Sequence, residues 1–196
     1  MASPKIETYQ GTRLTFQSPK FFDEVMQKLY FSIGGPDRIG SWKRPVHSVT
    51  ISTEEARERF EEGIKAVLGP HEFMIFKRGE WFGRVGLGMR ADDRQEFDHG
   101  SWIPFYGVGD GLKSKRIILG NPMIAITMLK HDITAGLAVP VEVLVSEVLV
   151  GGEKKTEVMY NLPSGLIAGI NKDENLVEAV GKLDEKLERL VRWVCQ

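Results

Sequence analysis

Apolar residues recur at helical spacing in three segments of the chain. In the first, which follows Ser18-Pro19 and stops at Gly34, the apolar positions i, i+3, i+4 and i+7 are Phe22, Val25, Met26 and Leu29. The second predicted helix begins with the capping-box pair Ser52 and Glu55 and ends at Gly69. The third runs from about Asp173 to Val194, and its stripe consists of Leu176, Val177, Val180, Leu183, Leu187, Leu190, Val191 and Val194.

A fourth predicted helix is apolar on nearly every side. Asn121 is a good N-cap residue, and Pro122 suits the first helical position. The segment from Met123 to Leu129 then has no polar face. A helix with this composition is expected to be enclosed by the rest of the protein.

The remaining apolar segments predict β-strands. Val141–Val150 is rich in valine, and Gly151-Gly152 can form the tight turn of a hairpin that returns over Lys155–Tyr160. Phe73–Phe76 is a short continuous apolar run, typical of a central strand with both faces covered. Three further strands are predicted over Ile6–Phe16, Val46–Ile51 and Lys115–Leu119.

Residues 80–112 combine glycines and aromatic residues without a sustained period, and the pattern does not settle their secondary structure. Two glycine-rich runs lie here, Gly83–Gly88 and Gly107–Gly111. Neither has the ending or spacing of a nucleotide-binding loop, and the second precedes a strand rather than a helix. Both are therefore interpreted as turns.

Length, charge and cysteine content narrow the classes of function. The 196 residues suit one domain, and 26 basic against 27 acidic residues give a net charge of −1, which disfavours nucleic acid as a partner. The only cysteine, Cys195, indicates a reducing, cytoplasmic location, and no segment resembles a signal peptide or a membrane span. The four histidines lack the spacing of a zinc site, so no metal and no cofactor are expected.

The densest group of chemically capable residues lies in the same aromatic segment. Glu96, Asp98 and His99 are predicted as acid–base residues, because carboxylates beside an imidazole tune its proton affinity. The predicted ligand-binding residues are Trp81, Trp102, Tyr106 and Asn121. Each of these residues also has a purely structural explanation, such as capping or surface packing.

Two hypotheses for function follow. In the first, the protein binds a small molecule in an aromatic-lined pocket, as a binding protein or as a cofactor-independent metabolic enzyme. In the second, the aromatic segment is an interaction surface, and the protein is a non-catalytic homodimeric module.

The C-terminal part of the sequence resembles a known family. The strand Arg116–Leu119 ends in Gly120-Asn121-Pro122, and Gly136-Leu137 and Pro140 precede the long valine-rich strand. These motifs resemble the domain of unknown function 302 family, and the best match covers residues 115–195. Segments 35–70 and 80–112 resemble the insertions that fungal members of this family carry. The resemblance implies a single-domain α+β fold over residues 1–196, an antiparallel sheet with helices mainly on one face, and often a homodimer. It implies no reaction, and the cysteines that many bacterial members carry are replaced by Gly120 and Val141.

Overall fold

Strands and helices of the chain are described by a computed structural model over residues 4–34, 54–76 and 96–196. In these ranges the strands are β1 (Arg13–Ser18), β2 (Met74–Ile75), β3 (Glu96–Asp98), β4 (Ser114–Gly120), β5 (Val141–Val150) and β6 (Glu153–Asn161). The helices are α1 (Phe22–Ser32), α2 (Glu54–Lys65), α3 (Pro122–Leu129), α4 (Pro163–Ile167) and α5 (Glu174–Cys195). Short 3-10 turns cover His99–Ser101, Ile103–Tyr106, Gly109–Gly111 and Ile133–Leu137.

The described strands form one antiparallel sheet in the order β1-β6-β5-β4-β2, with β3 also paired to β4. The central hairpin of β5 and β6 turns at Gly151 and Gly152, whose φ angles are 61° and 85°. These left-handed conformations cost glycine little, which confirms the hairpin predicted from the sequence.

One face of the sheet carries the core. Along β5 the valines at 141, 143 and 145 are buried, whereas the intervening Glu142 is exposed, because successive side chains of a strand point to opposite faces. Helices α1 and α5 contact the strands on the buried side. The fold is therefore an α+β single domain with an antiparallel sheet, as the sequence indicated.

Helix α5 supplies the largest part of this core. Its buried residues share one face of the helix and are Leu176, Val180, Leu183, Leu187, Leu190, Val191, Val194 and Cys195. Val177, which the sequence placed in the stripe, is exposed. A second, smaller apolar cluster of Ile64, Val67 and Met74 lies between α2 and β2.

Two predicted boundaries are wrong. Strand β1 begins at Arg13 rather than Ile6, because its partner β6 ends at Asn161 and Pro163 then starts a helix. Helix α1 begins at Phe22, and the Ser18 hydroxyl instead donates to the carbonyl of Cys195 at 2.9 Å.

The Phe73–Phe76 run contributes an edge strand, since β2 pairs with β4 alone among the described strands. Its two faces are nevertheless covered, and Met74 and Ile75 are buried. Helix α3 is not enclosed: Met128 is its only fully buried residue, and Ile126 is 56% exposed. The strand predicted over 46–51, the cap Ser52, Trp81 and the glycine run 83–88 lie outside the described residues.

Candidate functional site

A large apolar concavity lies beside helix α3, and we name it the α3 cavity. Its volume is about 590 Å³, within the range of roughly 300–1,000 Å³ that is typical of small-molecule sites. Helix α3 forms one wall from Pro122 to Leu129, and α2, the ends of β2 and β4, and α5 form the others. Lining residues from these other walls include Phe60, Phe73, Phe76, Pro140 and Leu183.

This cavity explains why α3 has no polar face. Met128 faces the core, Met123 and Ile124 line the cavity, and Ile126 reaches both the cavity and the solvent. A helix enclosed by protein and a helix beside an apolar cavity have the same composition. The sequence pattern alone could not distinguish between them.

Asn121 lies at the edge of the α3 cavity and is only 7% exposed. The Oδ1 atom accepts from the backbone N–H of Met123 at 2.8 Å, which confirms the predicted N-cap. The Nδ2 atom donates to the carbonyl of Glu72 at 2.9 Å. Asn121 therefore ties α3 to the segment before β2 and holds two walls of the cavity together.

A second, polar concavity of about 510 Å³ lies between α1 and the strands β3 and β4, and we name it the α1 cavity. Helix α1 contributes both apolar and polar side chains to one wall of this cavity. The opposite wall, formed by β3, β4 and the turns between them, is mainly polar. The principal lining side chains are Phe22, Asp23, Met26, Gln27, Tyr30, Asp98, Ser101, Lys113 and Lys115. Of the predicted acid–base residues, Asp98 lines this cavity.

Glu96 lies at the inner end of the same polar group, and its side chain is 6% exposed. Its carboxylate accepts hydrogen bonds from the Tyr30 hydroxyl and from the Lys115 ammonium group. Burial opposes the charged form of Lys115, but hydrogen bonding and attraction to Glu96, together with the charge of Asp98, raise the pKa of Lys115 above its usual value. Lys115 is thus charged across the physiological range of pH.

Asp98 has a structural role as well as a place on the cavity wall. Its Oδ1 atom accepts from the backbone N–H of Ser101 at 3.1 Å and caps the turn at His99–Ser101. Its Oδ2 atom lies 3.6 Å from the Lys115 Nζ atom, which also binds Glu96.

The predicted aromatic residues lie together at the surface. The rings of His99 and Trp102 are 6.0 Å apart, and those of Trp102 and Tyr106 are 6.2 Å apart, both in edge-to-face arrangements. Tyr106 is 78% exposed and its neighbour Phe105 is 85% exposed. His99, Trp102 and Tyr106 are not among the described lining residues of either cavity.

The structure therefore separates residues that the sequence analysis grouped. Asn121 borders the α3 cavity, Asp98 lines the α1 cavity with Glu96 behind it, and the aromatic residues form a surface cluster. Phe60, Phe76 and Met123 were not predicted as cavity residues. The apolar composition of α3 was a signal for Met123 alone, because Phe60 and Phe76 belong to other parts of the chain.

The described ranges contain neither a metal-binding cluster nor a membrane-spanning helix. Within residues 4–34, 54–76 and 96–196, no three His, Cys, Asp or Glu side chains converge as metal ligands do. Across the same described helices, none is long and apolar enough to cross a membrane.

Comparisons with known proteins give a family and a fold. The family described as domain of unknown function DUF302 matches residues 94–193, which is slightly more than half of the chain. The chain is also similar to the crystal structure of an uncharacterized conserved DUF302 protein from Bacillus stearothermophilus, with a TM-score of 0.54 and 13% identity. This likeness covers 94% of the present chain and 98% of the other. Among curated proteins, none matches the sequence.

Proposed function

We propose that this chain, which belongs to the domain of unknown function DUF302 family, binds a small apolar molecule in the α3 cavity. The description of the family names no reaction, so we infer the function from the cavities of the structure. The supporting observation is the size and composition of this cavity, whose walls are formed mainly by aliphatic and aromatic side chains, with Arg57, Glu61 and Asn121 as the polar lining residues. The polar atoms of Asn121 at its edge are used by Met123 and Glu72. The ligand is therefore held mainly by burial of apolar surface.

The expected affinity follows from the area that such a ligand buries. A ligand that loses roughly 250 Å² of apolar surface gains about 6 kcal/mol from burial before the entropy costs of association are subtracted. An unoptimised apolar probe is accordingly expected to bind with a dissociation constant in the micromolar to millimolar range.

A direct test uses the neutral fluorescent dye N-phenyl-1-naphthylamine, whose emission rises in apolar surroundings. We expect saturable binding to the protein, and weakening of about tenfold in the variant Gly136→Leu, equivalent to about 1.4 kcal/mol. Gly136 lines the α3 cavity, and a Cβ atom at this position would lie 3.7 Å from Leu129 Cδ2, so a larger side chain occupies ligand space without a severe clash.

The matched control is Gly11→Leu, because Gly11 has open space around it and does not line the cavity. Circular dichroism and thermal unfolding of both variants establish that they are folded. Equal dye affinity in the two folded variants would show that the dye does not occupy the α3 cavity. Native mass spectrometry of the purified protein would then identify a bound natural ligand.

The acid–base role of Glu96, Asp98 and His99 is a separate proposal, because these residues do not line the α3 cavity. If His99 acts on a ligand, His99→Ala should abolish turnover of a metabolite found in a library screen. Unchanged binding and turnover in this variant would remove His99 from the candidates.

A second candidate function is self-association through the surface cluster of Trp102, Phe105 and Tyr106. Its support is the unusual exposure of three large aromatic side chains in one short segment, a pattern typical of association sites. Sedimentation velocity should show a dimer that Trp102→Ala and Phe105→Ala weaken. The control Phe31→Ala removes an exposed aromatic residue of α1 and should have no effect. A monomer at all accessible concentrations would exclude this candidate.

A further inference from the structure

A charged pair lies where the α3 cavity opens to solvent. Of the described lining residues, only Arg57 and Glu61 carry a charge, and both belong to helix α2. Their side chains are 65% and 37% exposed. Other lining residues, Phe73, Met128 and Leu183, are at most 2% exposed. The cavity therefore has a buried apolar part and a polar mouth.

The two side chains at the mouth lie side by side but are not hydrogen-bonded to each other. They are four residues apart on one face of α2, and Arg57 Nε lies 3.8 Å from Glu61 Oε1, which is too long for a hydrogen bond. Arg57 contacts Glu54 through one terminal nitrogen, and a guanidinium group has five N–H donors. No residue within 4–34, 54–76 or 96–196 donates a hydrogen bond to the Glu61 carboxylate. Both groups can therefore still bind a ligand.

The charges of this pair cancel, which favours a neutral head group. A carboxylate of the ligand would approach Glu61, and an ammonium group would approach Arg57, so either ion meets a like charge. A hydroxyl group satisfies both side chains, because its oxygen accepts from Arg57 and its hydrogen is donated to Glu61. The 3.8 Å separation allows this bridge, since each hydrogen bond spans about 2.8 Å.

The rest of the cavity offers no other place for a hydroxyl group. Asn121 is the remaining polar lining residue, and its two polar atoms are used by Met123 and Glu72. A hydroxyl group placed among the apolar walls would lose its hydrogen bonds to water, which lowers affinity roughly five- to hundredfold. A bound alcohol is therefore oriented with its hydroxyl group at the mouth.

From this arrangement we infer, on the premise of the proposed function, that the α3 cavity takes a neutral alcohol with an apolar body. The hydroxyl group binds between Arg57 and Glu61, and the hydrocarbon part extends toward Phe73, Met128 and Leu183. The charged pair thus selects the head group of the ligand, which the apolar walls cannot do.

Four probes with the same number of non-hydrogen atoms differ in the head group: n-octanol, heptyl methyl ether, heptanoate and n-octylamine. Each competes with N-phenyl-1-naphthylamine at neutral pH. We expect n-octanol to bind about threefold more tightly than the ether, which accepts from Arg57 but cannot donate to Glu61, and about tenfold more tightly than either ion.

The outcomes separate this inference from the proposed function. Equal or tighter binding of the ether or of either ion would overturn the inference and leave the proposed function intact. Absence of competition by every probe would also overturn the inference. If the dye affinity is in addition equal in Gly136→Leu and Gly11→Leu, the proposed function fails as well.

The variant Glu61→Met removes the acceptor and keeps a side chain that suits an exposed helix. The dissociation constant of n-octanol should rise about threefold, whereas that of the ether should not change. Because Arg57 then has no partner in the lining, heptanoate should bind more tightly and n-octylamine more weakly.

The control is Glu62→Met, since Glu62 is an exposed carboxylate of the same helix that does not line the cavity. It should leave the affinity of all four probes unchanged. Arg57→Met should weaken both n-octanol and the ether, because both accept from Arg57. An undiminished preference for n-octanol over the ether in folded Glu61→Met would overturn the inference.

Discussion

Asn121 joins the start of α3 to the segment before β2, and its replacement measures the strength of that connection. The change Asn121→Ala removes the 2.8 Å cap to Met123 and the 2.9 Å hydrogen bond to the Glu72 carbonyl. Loss of an N-cap costs about 1 kcal/mol, and loss of a neutral hydrogen bond costs about 1 kcal/mol more. We therefore expect the free energy of unfolding to fall by about 2 kcal/mol, and the Tm by roughly 4–8 °C for a chain of this length.

Urea unfolding followed by circular dichroism provides the measurement. In Asn121→Ser the cap acceptor is retained and the donor to the Glu72 carbonyl is lost, so the expected decrease is about 1 kcal/mol. The control Asn161→Ala alters an exposed amide whose side-chain contact, to Arg13 Nε, is 3.5 Å long. Its effect should be below about 0.5 kcal/mol, as for most surface changes.

Two results would refute this account of Asn121. The first is a decrease in Asn121→Ala no larger than that in Asn161→Ala. The second is a large change in dye affinity. Because both polar groups of Asn121 form hydrogen bonds within the protein, the affinity of the α3 cavity for the dye should change little in the folded variant Asn121→Ala. A large loss of affinity without loss of stability would make Asn121 a direct ligand-binding residue.

The other predictions concern helix α5 and its end. Gly181→Ala should raise the free energy of unfolding by about 0.5–1 kcal/mol, because alanine favours the interior of a helix and the added methyl group meets nothing within 4 Å. Equal or lower stability of the variant in urea unfolding would contradict this. Leu187→Ala should lower the free energy of unfolding by about 2–5 kcal/mol, because Leu187 is fully buried. Val177→Ala, at an exposed position of the same helix, should lower it by less than about 1 kcal/mol. Similar decreases in the two variants would show that the assigned core face is wrong. Burial raises the pKa of the Cys195 thiol to about 11. The contribution of this thiol to stability is therefore fully present below the pKa of the unfolded state, about 8.5, and is lost as the pH rises toward 11. Urea unfolding at several pH values should show a steeper alkaline loss for the wild type than for Cys195→Ala, and parallel curves would contradict it.

The sequence predicted those parts of the fold that depend on local chemistry. The β5–β6 hairpin needs only valine-rich strands and two glycines, and the cap at Asn121 needs only an Asn-Pro pair, so both were recognised correctly. The position of β2 at the sheet edge depends on which strand it pairs with, and a short apolar run contains no information about its neighbours.

The candidate site was harder to predict, because distance along the chain does not determine distance in space. Asp98 and Trp102 are close in sequence, yet one lines the α1 cavity and the other lies in a surface aromatic cluster. Lys115 was predicted only as the first residue of a strand, whereas the structure shows that its ammonium group binds the buried Glu96 carboxylate. That contact exists only because β3 and β4 pair in a particular register.

The pairing of β1 with β6 has a consequence for how the protein folds during synthesis. The hydroxyl of Ser18 binds a carbonyl 177 residues later in the chain, and β1 itself finds its partner strand only after the hairpin has been made. While the ribosome is still producing α5, the apolar residues of α1 therefore have no complete surface to pack against. Contacts between such distant segments close slowly, and we expect the packing of α1 to be completed only after α5 has been synthesised.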